Sequence, residues 1–187
     1  MLFFTSDLHF GHNKPFIYGP RGFADVDEMD EAIVRIWNET VADDDDVYVL
    51  GDIMLIDNDL GIELWNRLRG RKHVIIGNHD TAPRVELLRK CRNTKVVGYA
   101  DLIRYKGYSL YVSHYPTMTG NYDESKFMKN CVINVCGHTH TSDKFADIDK
   151  GWIYHVDPEA HDNRPVPVDQ IIADMIERLG DVSSAEE

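Results

Sequence analysis

Short apolar runs recur along the chain at Leu2–Thr5, Val47–Leu50, His73–Ile76, Leu110–Val112 and Val132–Cys136, most of them rich in β-branched or aromatic residues. Their length and composition predict buried strands. Between them the period changes, for Met29, Ile33, Ile36 and Trp37 recur at helical spacing after Asp25 and Asp27, acids suited to a helix N-terminus. A second helix is predicted over Leu60–Leu68, ended by Gly70, and a third from Pro83 through Lys90. Strand and helix therefore alternate through the first half, the pattern of βαβ units. In the second half Leu102–Tyr105 and Tyr108–Val112 flank Lys106-Gly107, which predicts a hairpin and with it a mixed sheet. Pro158, Pro165 and Pro167 interrupt the chain before a last amphipathic helix, Val168–Leu179, with Ile171, Ile172, Met175 and Leu179 on one face. No repeat or linker divides the sequence. One domain over residues 1–180 is expected, with a polar, fraying tail over 181–187.

Composition narrows the class. The 187 residues carry 20 Lys plus Arg against 32 Asp plus Glu, a formal charge of −12, and 43% are hydrophobic. An acid excess opposes a sequence-independent grip on a nucleic-acid backbone, and no clustering of Lys and Arg is evident to reverse it. Coating of nucleic acid is thereby disfavoured. With no basic leader and no long apolar stretch, neither secretion nor membrane insertion is expected. Cys91, Cys131 and Cys136 form an odd set without C-x-x-C spacing, so a reducing, cytoplasmic setting is expected. Asp43–Asp46 reads as a solvated turn before a strand.

The distinctive chemistry stands immediately after each apolar run: Ser6-Asp7-Leu8-His9, Gly51-Asp52, Gly77-Asn78-His79-Asp80, Ser113-His114 and Gly137-His138-Thr139-His140. In open α/β sheets ligands bind at the carboxyl ends of strands, so five such ends can converge on one cavity. Residues two apart in an extended segment share a side, which pairs Asp7 with His9 and His138 with His140. Gly51, Gly77 and Gly137 suit sharp exits where the backbone turns or approaches a bound group. Imidazole nitrogen mixed with carboxylate and amide oxygen, without thiolate, suits divalent Mn²⁺, Fe²⁺, Zn²⁺ or Ni²⁺.

The ordered set D-x-H, G-D, G-N-H-D, H and G-H-x-H resembles the calcineurin-like metallophosphoesterases. The segment Asp7-Leu8-His9-Phe10-Gly11-His12 and the short chain are similar to the small single-domain bacterial and phage members. The resemblance implies an α/β fold, a four-layer αββα sandwich with two mixed sheets. It implies two divalent metal ions, Mn²⁺ foremost, with Asp7, His9 and His140 on one, Asn78, His114 and His138 on the other, and Asp52 bridging. Two such ions about 3.5–4 Å apart acidify a shared water and clamp a phosphoryl group for in-line attack. His79 corresponds to the family's general acid, and Asp80 would orient that imidazole or a ligand.

The implied substrate is a small phosphate ester, either a monoester or a diester, such as a nucleotide or cyclic nucleotide. Gly51-Asp52 continues as Ile53-Met54-Leu55, without the further Asp and Arg of the large phosphoprotein phosphatases, so phosphoprotein substrates are not expected. A non-catalytic binding or scaffolding module on the same fold is the rival reading, opposed by the completeness of the motifs. His12 and Arg21 are candidate substrate contacts; for Arg21 the bland alternative is a surface side chain packing on Phe23. His73, His155 and His161 read as structural or exposed. The segment Tyr115–Asn130, with Tyr122, Lys126, Phe127 and Lys129, is either a lid over a nucleotide or a plain surface loop.

Overall fold

The computed structural model describes residues 1–55, 57–119 and 131–183, with side chains as far as residue 178. The leading sheet has the order β4-β3-β2-β1-β9, built from β1 (Leu2–Thr5), β2 (Asp46–Leu50), β3 (Arg71–Ile75), β4 (Thr94–Gly98) and β9 (Val166–Pro167). Its first four strands run parallel and β9 runs antiparallel to β1. The other sheet has the order β5-β6-β7-β8, from β5 (Ala100–Tyr105), β6 (Tyr108–Ser113), β7 (Val132–Cys136) and β8 (Ile153–His155). Here β5 and β6 form the predicted hairpin through Lys106 and Gly107, both at positive φ, while β6, β7 and β8 are parallel. Both sheets are therefore mixed.

The helices are α1 (Pro15–Tyr18), α2 (Val26–Thr40), α3 (Asn58–Arg67), α4 (Ala82–Leu88) and α5 (Val168–Ser183). Asp25 caps α2 by accepting from the Glu28 N–H, and Asp57 caps α3 from the Asp59 and Leu60 N–H groups. Met29, Ile33 and Trp37 of α2 and Leu64 and Trp65 of α3 pack with Phe3, Val47, Val49 and Val74 on one face of the leading sheet. From its other face Phe4, Leu50 and Ile75 meet Leu110, Val112, Ile133 and Val135 of the other sheet, and α5 adds Ile171, Ile172 and Met175. The two sheets thus lie face to face.

Several expectations shift. The helix predicted to stop at Leu179 continues to Ser183, because Gly180 is tolerated inside it; the rest of the tail and the Leu179 side chain lie outside the described residues. Helix α5 touches β1 and β9. On the outer face of the second sheet Leu102 stays 51% exposed and Asn134 accepts from the Thr117 N–H at 2.7 Å. Strands β4, β8 and β9 and the short α1 escaped the sequence reading, being two to five residues long or carrying few apolar positions.

Candidate metal centre

All five motif segments leave the carboxyl ends of β1, β2, β3, β6 and β7 and meet at one end of the sandwich. The pairing of Asp7 with His9, and of His138 with His140, does not arise from extended backbone as expected. Asp7, His9, Asp52, His138 and His140 have φ of 49, 53, 55, 76 and 50°, the left-handed region that residues with a Cβ seldom enter. Each such residue costs on the order of 1–3 kcal/mol and persists only where its surroundings enforce it. Here the first two segments are tied together, Asp7 N–H donating to Gly51 O at 2.9 Å and His9 N–H to Asp52 O at 3.0 Å. Gly51 and Gly77 serve close approach: a Cβ on Gly51 would stand 2.7 Å from His114 Nδ1, and one on Gly77 2.3 Å from Asp52 Oδ1.

Two triads of donor atoms result, Asp7 with His9 and His140, and Asp52 with His114 and His138, the atoms of each lying within 4.8 Å of one another. Asp52 Oδ2 lies 3.8 Å from His9 Nε2 and 3.5 Å from His114 Nε2, so it stands at the junction of the triads. Asn78 Oδ1 lies 2.7 Å from His114 Nε2, adding a fourth donor on that side.

The donor set fits divalent cations. Asp7 Oδ1 and His9 Nε2 are buried without a hydrogen-bond partner, although they face each other at 3.7 Å. The other oxygen of Asp7 accepts from His138 N–H, and Asp52 Oδ1 accepts from His79 N–H, both at 2.8 Å, which reserves one oxygen of each carboxylate for the centre. His114 Nδ1 donates to Leu50 O at 2.8 Å, so in the neutral ring Nε2 is an acceptor. It points at the Asn78 side-chain oxygen and lies 3.1 Å from His138 Nδ1, so three potential donor atoms converge on that side of the centre.

The surrounding residues anchor these ligands. His140 Nδ1 sits 3.0 Å from Glu159 Oε1, and its backbone N–H donates to Asp157 at 2.8 Å. Burial pulls the His140 imidazole down, but the Glu159 hydrogen bond and the charge of Asp7 outweigh it and raise it above its ordinary value. Burial lowers His9 and His138. For Asp7, burial works upward, yet the charges of the His9, His114 and His140 imidazoles around it hold the carboxyl well below its usual range.

Arg21 requires a correction. It neither faces substrate nor packs on the surface: its side chain is 0% exposed, pairs with Glu159 at 2.8 Å and donates to the carbonyls of Asp7 at 2.8 Å and Leu8 at 3.2 Å. Two of its donors thus brace the Asp7-Leu8 segment and a third holds Glu159. His12 is also buried, its Nδ1 3.3 Å from His9 Nδ1 and its ring against Phe16. Asp80 turns away from the His79 ring and accepts from the N–H groups of Asp52, Ile53 and Gly77. His79 is more open, with a side chain 44% exposed and Nε2 3.9 Å from Asp52 Oδ2.

Glu159, Asp157 and Arg84, whose guanidinium donates to His79 O at 2.7 Å, were missed by sequence reasoning. No motif marks them, since each acts through a backbone group or another side chain. His155 and His161 are structural, as expected; His155 is wholly buried between Asp147 and Asp157. His73 pairs with Asp46 at 2.8 Å. Tyr122, Lys126, Phe127 and Lys129 lie outside the described residues.

Fold and site together define an α/β sandwich protein with a two-part set of metal donors at its strand ends. The chain belongs to the family of the uncharacterized protein MJ1445 of Methanocaldococcus jannaschii, to which it is 31% identical over 176 residues, 91% of this chain and 89% of that protein. It is also 42% identical over 81 residues to the gene 66 protein of Mycobacterium phage L5, a match to 41% of this chain and 38% of the phage protein. Among solved structures, the protein of unknown function AQ665 from Aquifex aeolicus superposes with a TM-score of 0.68 at 25% identity, covering 89% of this chain and 94% of that one. No family model matches the chain. No described helix is long and apolar enough to cross a membrane.

Proposed function

We propose that the protein is a calcineurin-like metallophosphoesterase that hydrolyses a small phosphomonoester or phosphodiester at a dinuclear centre. The observation that carries this reading is the position of Asp52 Oδ2 between the two donor triads, with Asp7 Oδ1 and His9 Nε2 buried and unpartnered beside it. Asp7, His9 and His140 would hold one divalent ion, Asn78, His114 and His138 the other, and Asp52 both. Mn²⁺ suits these nitrogen and oxygen donors, as do Fe²⁺, Zn²⁺ and Ni²⁺. When bound, such a pair supplies Lewis-acid polarisation of a phosphoryl oxygen and an acidified water.

The chain's own residues supply the rest. His79 stands at the open side and is placed to deliver a proton to a departing alkoxide. Its backbone N–H fixes Asp52, and Arg84 fixes its carbonyl, so the imidazole is offered from a held turn. Asp80 secures Asp52 through the backbone and is a positioning residue. Arg21 and Glu159 keep the Asp7 carbonyl and the His140 ring in place. A reducing cytoplasm belongs with this reading, since Cys91, Cys131 and Cys136 form an odd set without C-x-x-C spacing.

The test is hydrolysis of an aryl phosphomonoester and a bis-aryl phosphodiester with Mn²⁺, Fe²⁺, Zn²⁺ and Ni²⁺ in turn. Metal-dependent turnover of at least one, abolished in Asp52→Ala, is expected. Metal-loaded protein inert towards both substrates with every ion would contradict the proposal.

A further inference from the structure

The fold assembles a basic surface that the sequence keeps in two pieces. Arg67, Arg69, Arg71 and Lys72 follow or end α3, Arg89, Lys90 and Arg92 follow α4, and the two runs come together at the amino ends of β3 and β4. The absence of a Lys and Arg cluster expected from the linear sequence is corrected here, since tertiary packing creates one. Between the runs lies a cavity of about 420 Å³ lined by Arg67, Arg69, Lys72 and Arg92, with Asp43 its one acid. Lys72 stands at the start of β3 and the ligand Asn78 follows its carboxyl end, so the cavity is at the far end of the sheet from the metal centre.

The charge balance in this cavity is incomplete. Arg67 is paired bidentately with Glu31, and Arg69 lies 4.0 Å from Asp43. Lys72, only 3% exposed, donates to Leu68 O at 2.8 Å and stands 5.4 Å from the Trp65 ring. Neither it nor Arg92 has a carboxylate partner among the described residues. Burying an ammonium without a counter-charge is costly, and burial pulls Lys72 down to about 8. A second hollow of about 510 Å³ shares the Asn66 and Arg92 walls and adds Ile62, Leu87, Cys91 and Lys90, so apolar surface adjoins the cationic cavity.

We propose that this double hollow is a binding site, separate from the metal centre, for a small phosphate-bearing anion with a planar or apolar body, of the nucleoside phosphate class. The phosphate supplies the counter-charge missing at Lys72 and Arg92, and the body lies against Ile62 and Leu87. A nucleic-acid duplex is disfavoured as occupant because Lys72 is recessed and the chain as a whole is strongly acidic.

Calorimetric titration of the full chain with inorganic pyrophosphate and with adenosine 5′-monophosphate tests the site. Binding should persist in Asp52→Ala, which removes the metal centre, and weaken at least tenfold in both Lys72→Met and Arg92→Ala. Arg92 is exposed, so its variant keeps the test valid should the buried Lys72 substitution unfold the chain. Binding lost in Asp52→Ala but unchanged in Arg92→Ala overturns the site, as does no binding of either probe. So does binding of an oligonucleotide that pyrophosphate does not displace.

Discussion

The two donor triads are made of the same kinds of side chain but are anchored differently. Around Asp7, His9 and His140 the supports are charged or ionisable side chains: Glu159 on the His140 ring, Arg21 on Glu159 and the Asp7 carbonyl, and His12 beside His9. Around Asp52, His114 and His138 two supports are main chain, Leu50 O on His114 and the His79 N–H on Asp52, and the acid among them, Asp80, has both its oxygens taken up by backbone N–H groups and touches no ligand side chain. Main-chain anchors set geometry and leave charge alone. The ion pair behind His140 sets both, so the first triad is the half that electrostatic substitutions can tune separately.

The largest effect should come from the residue that belongs to both halves. Asp52→Ala is expected to take metal content from two ions per chain towards none and to lower turnover by more than about 10³-fold, read by elemental analysis and aryl phosphate hydrolysis. His79→Ala comes next, with turnover reduced by about 10²–10⁴-fold and metal content retained. If metal is lost as well, His79 belongs to the metal-holding set and its assigned role is wrong.

Glu159→Gln separates the triads. It preserves shape while removing the charge behind His140, and should weaken one of two binding events by about 10–100-fold and leave the other unchanged in a calorimetric titration. Equal weakening of both events would erase the distinction drawn between the halves.

The smallest effect concerns Asp30, which holds Gly11 N–H at 3.0 Å on the side of the first triad. Burial pushes its carboxyl up to about 7, well above the ordinary 3.8. A raised acid binds its proton more tightly when folded, so it stabilises the fold least where it must ionise: stability falls as pH rises from about 4 to 7 and then levels. Asp30→Asn should flatten that slope and add about 2 kcal/mol at pH 8, allowing for solvent screening, as measured by urea denaturation. An unchanged slope would show that Asp30 stays ionised in the folded chain.

Much of this was legible in the sequence because strand-end chemistry is local. The runs Leu2–Thr5 and Val132–Cys136 match their strands residue for residue, and the ligands that follow them stand in the triads. Glu159, Asp157 and Arg21 behave otherwise. Arg21 and Glu159 are 138 positions apart and gain meaning only through a buried contact, which no spacing announces. The left-handed backbone of Asp7, His9, Asp52, His138 and His140 was also invisible, since none is a glycine. The basic cavity was hidden for the same reason as Glu159, its two runs being joined by tertiary packing.

The central claim is that one carboxylate serves two ions. Titration of metal-free protein with Mn²⁺, followed by electron paramagnetic resonance, tests it most directly. The account predicts two ions per chain with the spectrum of a magnetically coupled pair, both lost in Asp52→Ala. A single uncoupled ion, or two ions that remain when Asp52 is removed, would contradict it.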